Sequence, residues 1–186
     1  EPLDVARVIA AGEFRALDLA TISLSGPSAA VPSPFISFLS VSWGLIGDVD
    51  ISADFLRAHM GAGRFQHSYS RRLRYPRLYH GSLTYRPAGV SVTDAPLSPL
   101  EEPLTGNGWV RLEGPFLTLW ACNVPWMTLT SHVAPNAQFD DGLWQLAVGH
   151  GAALADMTPD ELAATVLEIQ EAMNDHQQHP LFEVIE

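Results

Sequence analysis

Between Phe35 and Trp43 the side chains alternate with a period of two. Phe35, Ser37, Leu39, Val41 and Trp43 fall on one face, and Ile36, Phe38, Ser40 and Ser42 on the other. The pattern predicts a buried strand that runs on to Asp48 and Asp50, which that period sets on a single face. Charge then gathers at Asp54, Arg57 and Arg64, where the buried run leaves the core.

Other periodicities fill in the chain. Pro2 to Phe14 carries an apolar stripe of Val5, Val8 and Ile9 and predicts a short helix that Gly12 stops. Arg15 to Leu24 reads as a strand, and Ser25 to Pro34 as a loop. Ser52 is placed to cap a helix through Met60, ended by Gly61 and Gly63. A second helix is expected from Phe65 to about Leu73, stopped by Pro76. Strands are expected at Tyr79–Arg86, Trp109–Leu112, Phe116–Val124, Leu143–Val148 and Leu181–Ile185. Turns are expected at Glu113–Pro115 and Asp140–Gly142, and a long loop at Thr93–Gly108. Thr158, Pro159 and Glu161 form a helix start whose buried stripe would be Leu162, Val166, Ile169 and Met173. About seven strands without a strand-helix-strand repeat predict a mainly β fold, an antiparallel β-sandwich with a few short helices.

Composition narrows the functions. The net charge of −11 argues against a nucleic-acid partner. All ten basic residues are arginine, and seven of them lie between Arg57 and Arg86, a stretch free of Asp and Glu. Arginine forks suit phosphate and carboxylate groups. The single cysteine, Cys122, sits in an apolar run and reads as a small buried hydrophobe. Trp109, Trp120, Trp126 and Trp144 read as core. No apolar run nears the roughly 20 residues that cross a bilayer.

The sequence holds no P-loop, no Rossmann glycine pattern and no HExxH. His176 and His179 read as solvated surface. Asp48 and Asp50 are either solvated strand-end charges or carboxylates that receive a bound polar group, since an unpaired buried carboxylate is costly. Arg57 and Arg64 either snorkel over apolar neighbours or converge on an anion. Arg71, Arg72, Arg74 and Arg77, interleaved with aromatic residues, fit anionic lipid headgroups or ordinary amphipathic packing equally well.

One resemblance adds to this reading. SVSWGLIGDVD with Arg57 and Arg64-Phe65, then RLYHGSLTYRP at Arg77 to Pro87, Ala134-Pro135 with Asp140-Asp141-Gly142, and the final LFEVIE are similar to spaced motifs of the C-terminal, lipid-binding domain of sphingosine kinases. These belong to the wider diacylglycerol kinase-like lipid kinase group. The resemblance implies a boundary helix at 1–14 next to a missing nucleotide-binding domain. It also implies a β-sandwich lipid domain at 15–186, with a helical lid at about 52–80. It implies transfer of the ATP γ-phosphate to sphingosine or a related sphingoid base. Asp50 and Ser40 would bind the lipid head; Arg57, Arg64 and Asp54 would face the nucleotide. Asp54 stands where those kinases carry glutamate. No glycine-rich nucleotide loop or base motif occurs here, so no catalytic residue is expected in this chain. The missing N-terminal kinase domain would bind most of the ATP and Mg2+, and the chain alone would be inactive. A cytoplasmic location with peripheral membrane contact is implied. The alternatives are a ceramide or diacylglycerol kinase domain, a noncatalytic lipid-binding module, and a secreted carbohydrate-binding sandwich.

Overall fold

The computed structural model describes residues 2–26, 34–90, 104, 106, 108–127, 132–154, 156–158, 160–161, 164–165 and 182–185. The expected 162–173 helix stripe, most of the 93–108 loop, and His176 and His179 lie outside the described residues.

Eight strands are described: β1 (Ala20–Ile22), β2 (Phe35–Ser37), β3 (Ser40–Gly44), β4 (Ser82–Tyr85), β5 (Val110–Glu113), β6 (Phe116–Cys122), β7 (Gln145–His150) and β8 (Phe182–Ile185). With them stand the α-helices α1 (Pro2–Ala11), α2 (Leu45–Phe55), α3 (Arg57–Met60) and α4 (Gly63–Arg74). Every strand pairing is antiparallel. The main sheet has the order β3-β6-β7-β8, flanked by the ribbons β1-β2 and β4-β5. The mainly β, sandwich-like expectation therefore holds.

β6 is the keel of the main sheet. It pairs with β3 from Ser40↔Cys122 to Gly44↔Thr118 and with β7 from Phe116↔His150 to Cys122↔Gln145. A register shift between Phe116 and Thr118 adds local twist. Neighbouring residues Phe116 and Leu117 feed different cores, as the strand period requires. Leu117 joins Leu45, Val49, Leu73 and Leu154 beneath α2 and α4. Phe116 joins Val148 and Ile185, with Leu83 and Leu112 of the β4-β5 ribbon packed against them. The sheet is thus covered by helices on one side of its core and by the ribbon on the other.

The largest departure from the sequence reading is at Leu45. The strand does not continue to Asp50; it ends at Gly44, where α2 begins. Gly44 has φ +84, and a Cβ there would lie 2.6 Å from the carbonyl oxygen of Leu117. Only glycine fits this reversal against β6. Leu45, Val49 and Ala53 then recur every fourth residue as the buried stripe of α2. Asp48 and Asp50 consequently do not share a face: two helical positions are about 200° apart. Ser52 is not a cap but an interior residue of α2, its hydroxyl donating to the Asp48 carbonyl at 2.6 Å.

Smaller corrections follow the same logic. The strand from Phe35 is interrupted at Phe38–Leu39. The Arg15–Leu24 strand reduces to β1, because Asp18 is occupied elsewhere, its backbone N–H donating to the Phe139 carbonyl at 2.7 Å. Tyr79 pairs singly with Phe116, and β4 begins only at Ser82. Trp126 is not core: it is 49% exposed and stacks on His132 at 4.2 Å. As expected, Cys122 is buried, and Thr158 and Glu161 exchange the hydrogen bonds of a capping box. No helix among the described residues is long and apolar enough to cross a membrane.

Candidate functional site

The helices α2, α3 and α4 surround an open cavity of about 470 Å³. α2 contributes Asp50, Ile51, Asp54 and Phe55; Arg57 comes from α3, and Arg64 and Phe65 from α4. Because Leu45, Val49 and Ala53 face the core, the opposite side of α2 turns these four residues outward. The reversal through Gly61 (φ +50) folds α4 back against α2. Arg64 and Phe65 thereby come to the same opening as Asp50.

The lining is amphipathic. Ile51, Phe55 and Phe65 are exposed large hydrophobic residues, Phe55 at 82%. Among the described residues Asp50 has no hydrogen-bond or ion-pair partner. Asp50 is exposed at the opening, and partial burial by the surrounding protein raises its carboxyl from its ordinary value. The Arg64 guanidinium lies 4.3 Å from the centroid of the Phe65 ring, and its Nη1 donates to the Gly61 carbonyl at 2.7 Å. Its Nε is buried without a partner. Arg57 is engaged: Nε and Nη2 both donate to Oδ1 of Asp54, at 2.9 and 2.6 Å. A carboxylate without a partner, an arginine N–H without one, and apolar walls can together hold a molecule with a greasy body and a charged polar end.

Four of the five residues singled out from the sequence, Asp50, Asp54, Arg57 and Arg64, therefore line one cavity. Ser40 does not. It stands on β3 opposite Cys122, with its carbonyl accepting from the Ser37 hydroxyl at 3.3 Å.

The arginine cluster divides. Arg72 and Arg77 turn toward Asp48, with Nη1 atoms 3.3 and 3.9 Å from its Oδ2. For Arg72 the contact is a partly buried ion pair within the chain. Arg71, Arg74 and Arg77 are exposed, Arg77 at 66%. Tyr79, which the sequence reading took as a strand residue and one of the aromatics interleaved with the arginines, donates its hydroxyl to the same Asp48 oxygen at 2.6 Å. Its ring meets Trp43 edge-on at 5.5 Å. Only the long-range closeness of residues 48 and 79 reveals this role, and no local pattern encodes it. Among the described residues no three His, Cys, Asp or Glu gather to hold a metal ion.

No family model matches the chain. Among curated proteins, it is 33% identical over 156 residues to Sphingosine kinase 1 of Arabidopsis thaliana, which covers 74% of this chain and 30% of that protein. It is 32% identical over 155 residues to Sphingosine kinase 2 of the same plant, covering 74% and 31%. A shorter match, 36% identical over 85 residues, relates it to Sphingosine kinase 1 of Rattus norvegicus, covering 45% of this chain and 22% of that protein. The chain spans less than a third of the length of these curated relatives.

Proposed function

Since this chain is a sphingosine kinase-like domain of the lipid kinase family, we propose that it supplies the lipid-binding half of an enzyme that phosphorylates a sphingoid base. The observation that carries this is Asp50, partnerless among the described residues, at the edge of a cavity walled by Ile51, Phe55 and Phe65. A sphingoid head brings an ammonium and hydroxyl groups. The ammonium would pair with Asp50 and relieve the desolvation that raises its pKa. The tail would cover the apolar side chains.

Arg64, with its buried partnerless Nε, fits a phosphate oxygen at the same opening. Arg57 would join it after exchanging Asp54 for the anion. These two guanidinium groups would bind ATP phosphates and offset charge there, while Asp50 orients the lipid head. ATP, when bound, supplies the transferred phosphoryl group. The remainder of the enzyme, an N-terminal kinase domain, would hold most of the Mg2+ and nucleotide and the base that takes the hydroxyl proton. In this reading the chain is the C-terminal domain, with α2 to α4 as the lid and peripheral membrane contact at its exposed apolar side chains. Ser40, off the cavity, carries no part in the proposal.

The test is calorimetric titration of the full chain with sphingosine, ceramide and diacylglycerol, each in the same detergent. Sphingosine, which alone carries an ammonium, should bind at least tenfold more tightly, and Asp50→Asn should remove that preference. Equal affinity for the three lipids, or an unchanged Asp50→Asn, would overturn the assignment.

A further inference from the structure

Asp48 sits on α2 two residues before Asp50, on the side turned away from the cavity. Its side chain is 21% exposed, and a single oxygen, Oδ2, faces three donors. Tyr79 OH is at 2.6 Å, Arg72 Nη1 at 3.3 Å and Arg77 Nη1 at 3.9 Å. The backbone carbonyl of Asp48 accepts the Ser52 hydroxyl at 2.6 Å, and Ser52 Oγ in turn accepts Arg72 Nη2 at 3.1 Å. Arg72 therefore grips α2 at two points from α4. Tyr79 is itself fixed to the sheet: its backbone N–H and carbonyl both bond to Phe116 of β6 at 2.9 Å.

The apolar contact between the helices, Leu45 and Val49 against Leu73 and Tyr69, has no direction and tolerates sliding. Directional ionic bonds are what fix register in such an interface. We propose that Asp48 is a positioning residue for the cavity. By binding Arg72 and Tyr79 it locks α4 and the sheet to α2, and so sets the separation of Asp50 and Arg64.

The leverage is short. Asp50 is half a turn beyond Asp48 on one rigid helix, and Arg64 is about two turns before Arg72 on the other. A shift of α4 by one ångström moves Arg64 by the same amount. Displacements of that size are costly to sites that must align two groups.

The consequence for ligand binding rests on the function proposed above; the mechanical part does not. The experiment measures both on the full chain, for Asp48→Asn, Asp48→Glu and Tyr79→Phe, with the exposed Arg111→Ala as control. Mass-spectrometric hydrogen exchange should show α4 amides exchanging at least tenfold faster in all three test variants, with β6 unchanged. Sphingosine affinity should fall about tenfold in each. Asp48→Glu is decisive because it keeps the charge but displaces the oxygen by one methylene; positioning predicts no rescue, and simple charge neutralisation predicts full rescue. Wild-type exchange in α4 for Tyr79→Phe, or wild-type behaviour of Asp48→Glu, overturns the proposal. Where Asp48→Asn fails to fold, Tyr79→Phe, which removes one hydroxyl oxygen, decides. Should wild type fail to bind sphingosine, the lipid reading falls and the exchange rates alone judge the lock.

Discussion

Arg57 and Asp54, three residues apart at the rim of the cavity, bind each other through two N–H groups and one oxygen. Both side chains are 69% exposed, so the pair contributes little to stability, about 0–1 kcal/mol. Its effect is to neutralise a guanidinium that faces the opening. Asp54→Ala should leave the unfolding free energy within about 0.5 kcal/mol of wild type. The same change should tighten binding of inorganic phosphate several-fold at low salt, an advantage that fades as ionic strength rises. Chemical denaturation and phosphate titration check the two halves.

Asp50 should give the opposite combination, favouring binding of an amine lipid while opposing folding. Its carboxyl is raised by burial, so the folded state resists its ionisation. For a raised acid the penalty is absent below the unfolded pKa and fully present above the folded one. Asp50→Asn should therefore leave the Tm at pH 7 equal to or above that of wild type while abolishing the preference for an amine lipid. In the wild-type chain that preference should weaken as the pH falls through the Asp50 pKa. Thermal melts and calorimetry across pH 3 to 8 test this.

Burial first, then the hydrogen bond to Asp48, pushes Tyr79 up to about 12 from its ordinary value of 10.0. The folded state thus holds this proton more tightly than the unfolded chain does. The stabilisation is complete below the unfolded pKa, near 10, and is lost as pH rises toward 12. Wild type should lose stability between those values more steeply than Tyr79→Phe. At neutral pH the variant should cost about 1 kcal/mol for the lost hydrogen bond. Urea denaturation at a series of alkaline pH values, together with tyrosinate absorbance, provides the check.

Gly44→Ala combines a left-handed backbone with a Cβ 2.6 Å from the Leu117 oxygen. The main sheet and α2 cannot both keep their places around it. A loss of at least about 2 kcal/mol is expected, read as a lower urea midpoint, with sphingosine binding lost in parallel.

Cys122 is 1% exposed, and burial pushes its thiol up to about 12. It should resist a thiol reagent at pH 8 in the folded chain and react within seconds in denaturant.

The strands were legible where period-two alternation met turn residues. β6 and β7 lie within a residue or two of where the pattern put them, since Gly114-Pro115 and Asp140–Gly142 bracket them. α4 was legible from its length between Gly63 and Pro76. α2 was not. Leu45, Val49 and Ala53 carry a helical period, but an alternating run precedes them directly, and the change of period rests on one glycine. That misreading put Asp48 with Asp50, whereas the helix assigns one to the interior network and the other to the cavity. The grouping of Asp50, Asp54, Arg57 and Arg64 came from motif resemblance, and the cavity gathers all four. Ser40 was placed with them by the same resemblance, but it stands on β3 and does not line the cavity. The Asp48–Tyr79 bond spans 31 residues and has no local signature.

The main sheet takes its two outer strands from opposite ends of the sequence, β3 at Ser40–Gly44 and β8 at Phe182–Ile185. A ribosome releases the cavity helices long before it releases the last of these strands. During synthesis α2 and α4 must wait beside an unfinished sheet, with Leu45, Val49 and Leu73 uncovered until Leu117 of β6 is made. A stall in translation between them would leave a sticky intermediate, so synonymous codon changes after residue 75 should alter the yield of native chain even though they change no amino acid.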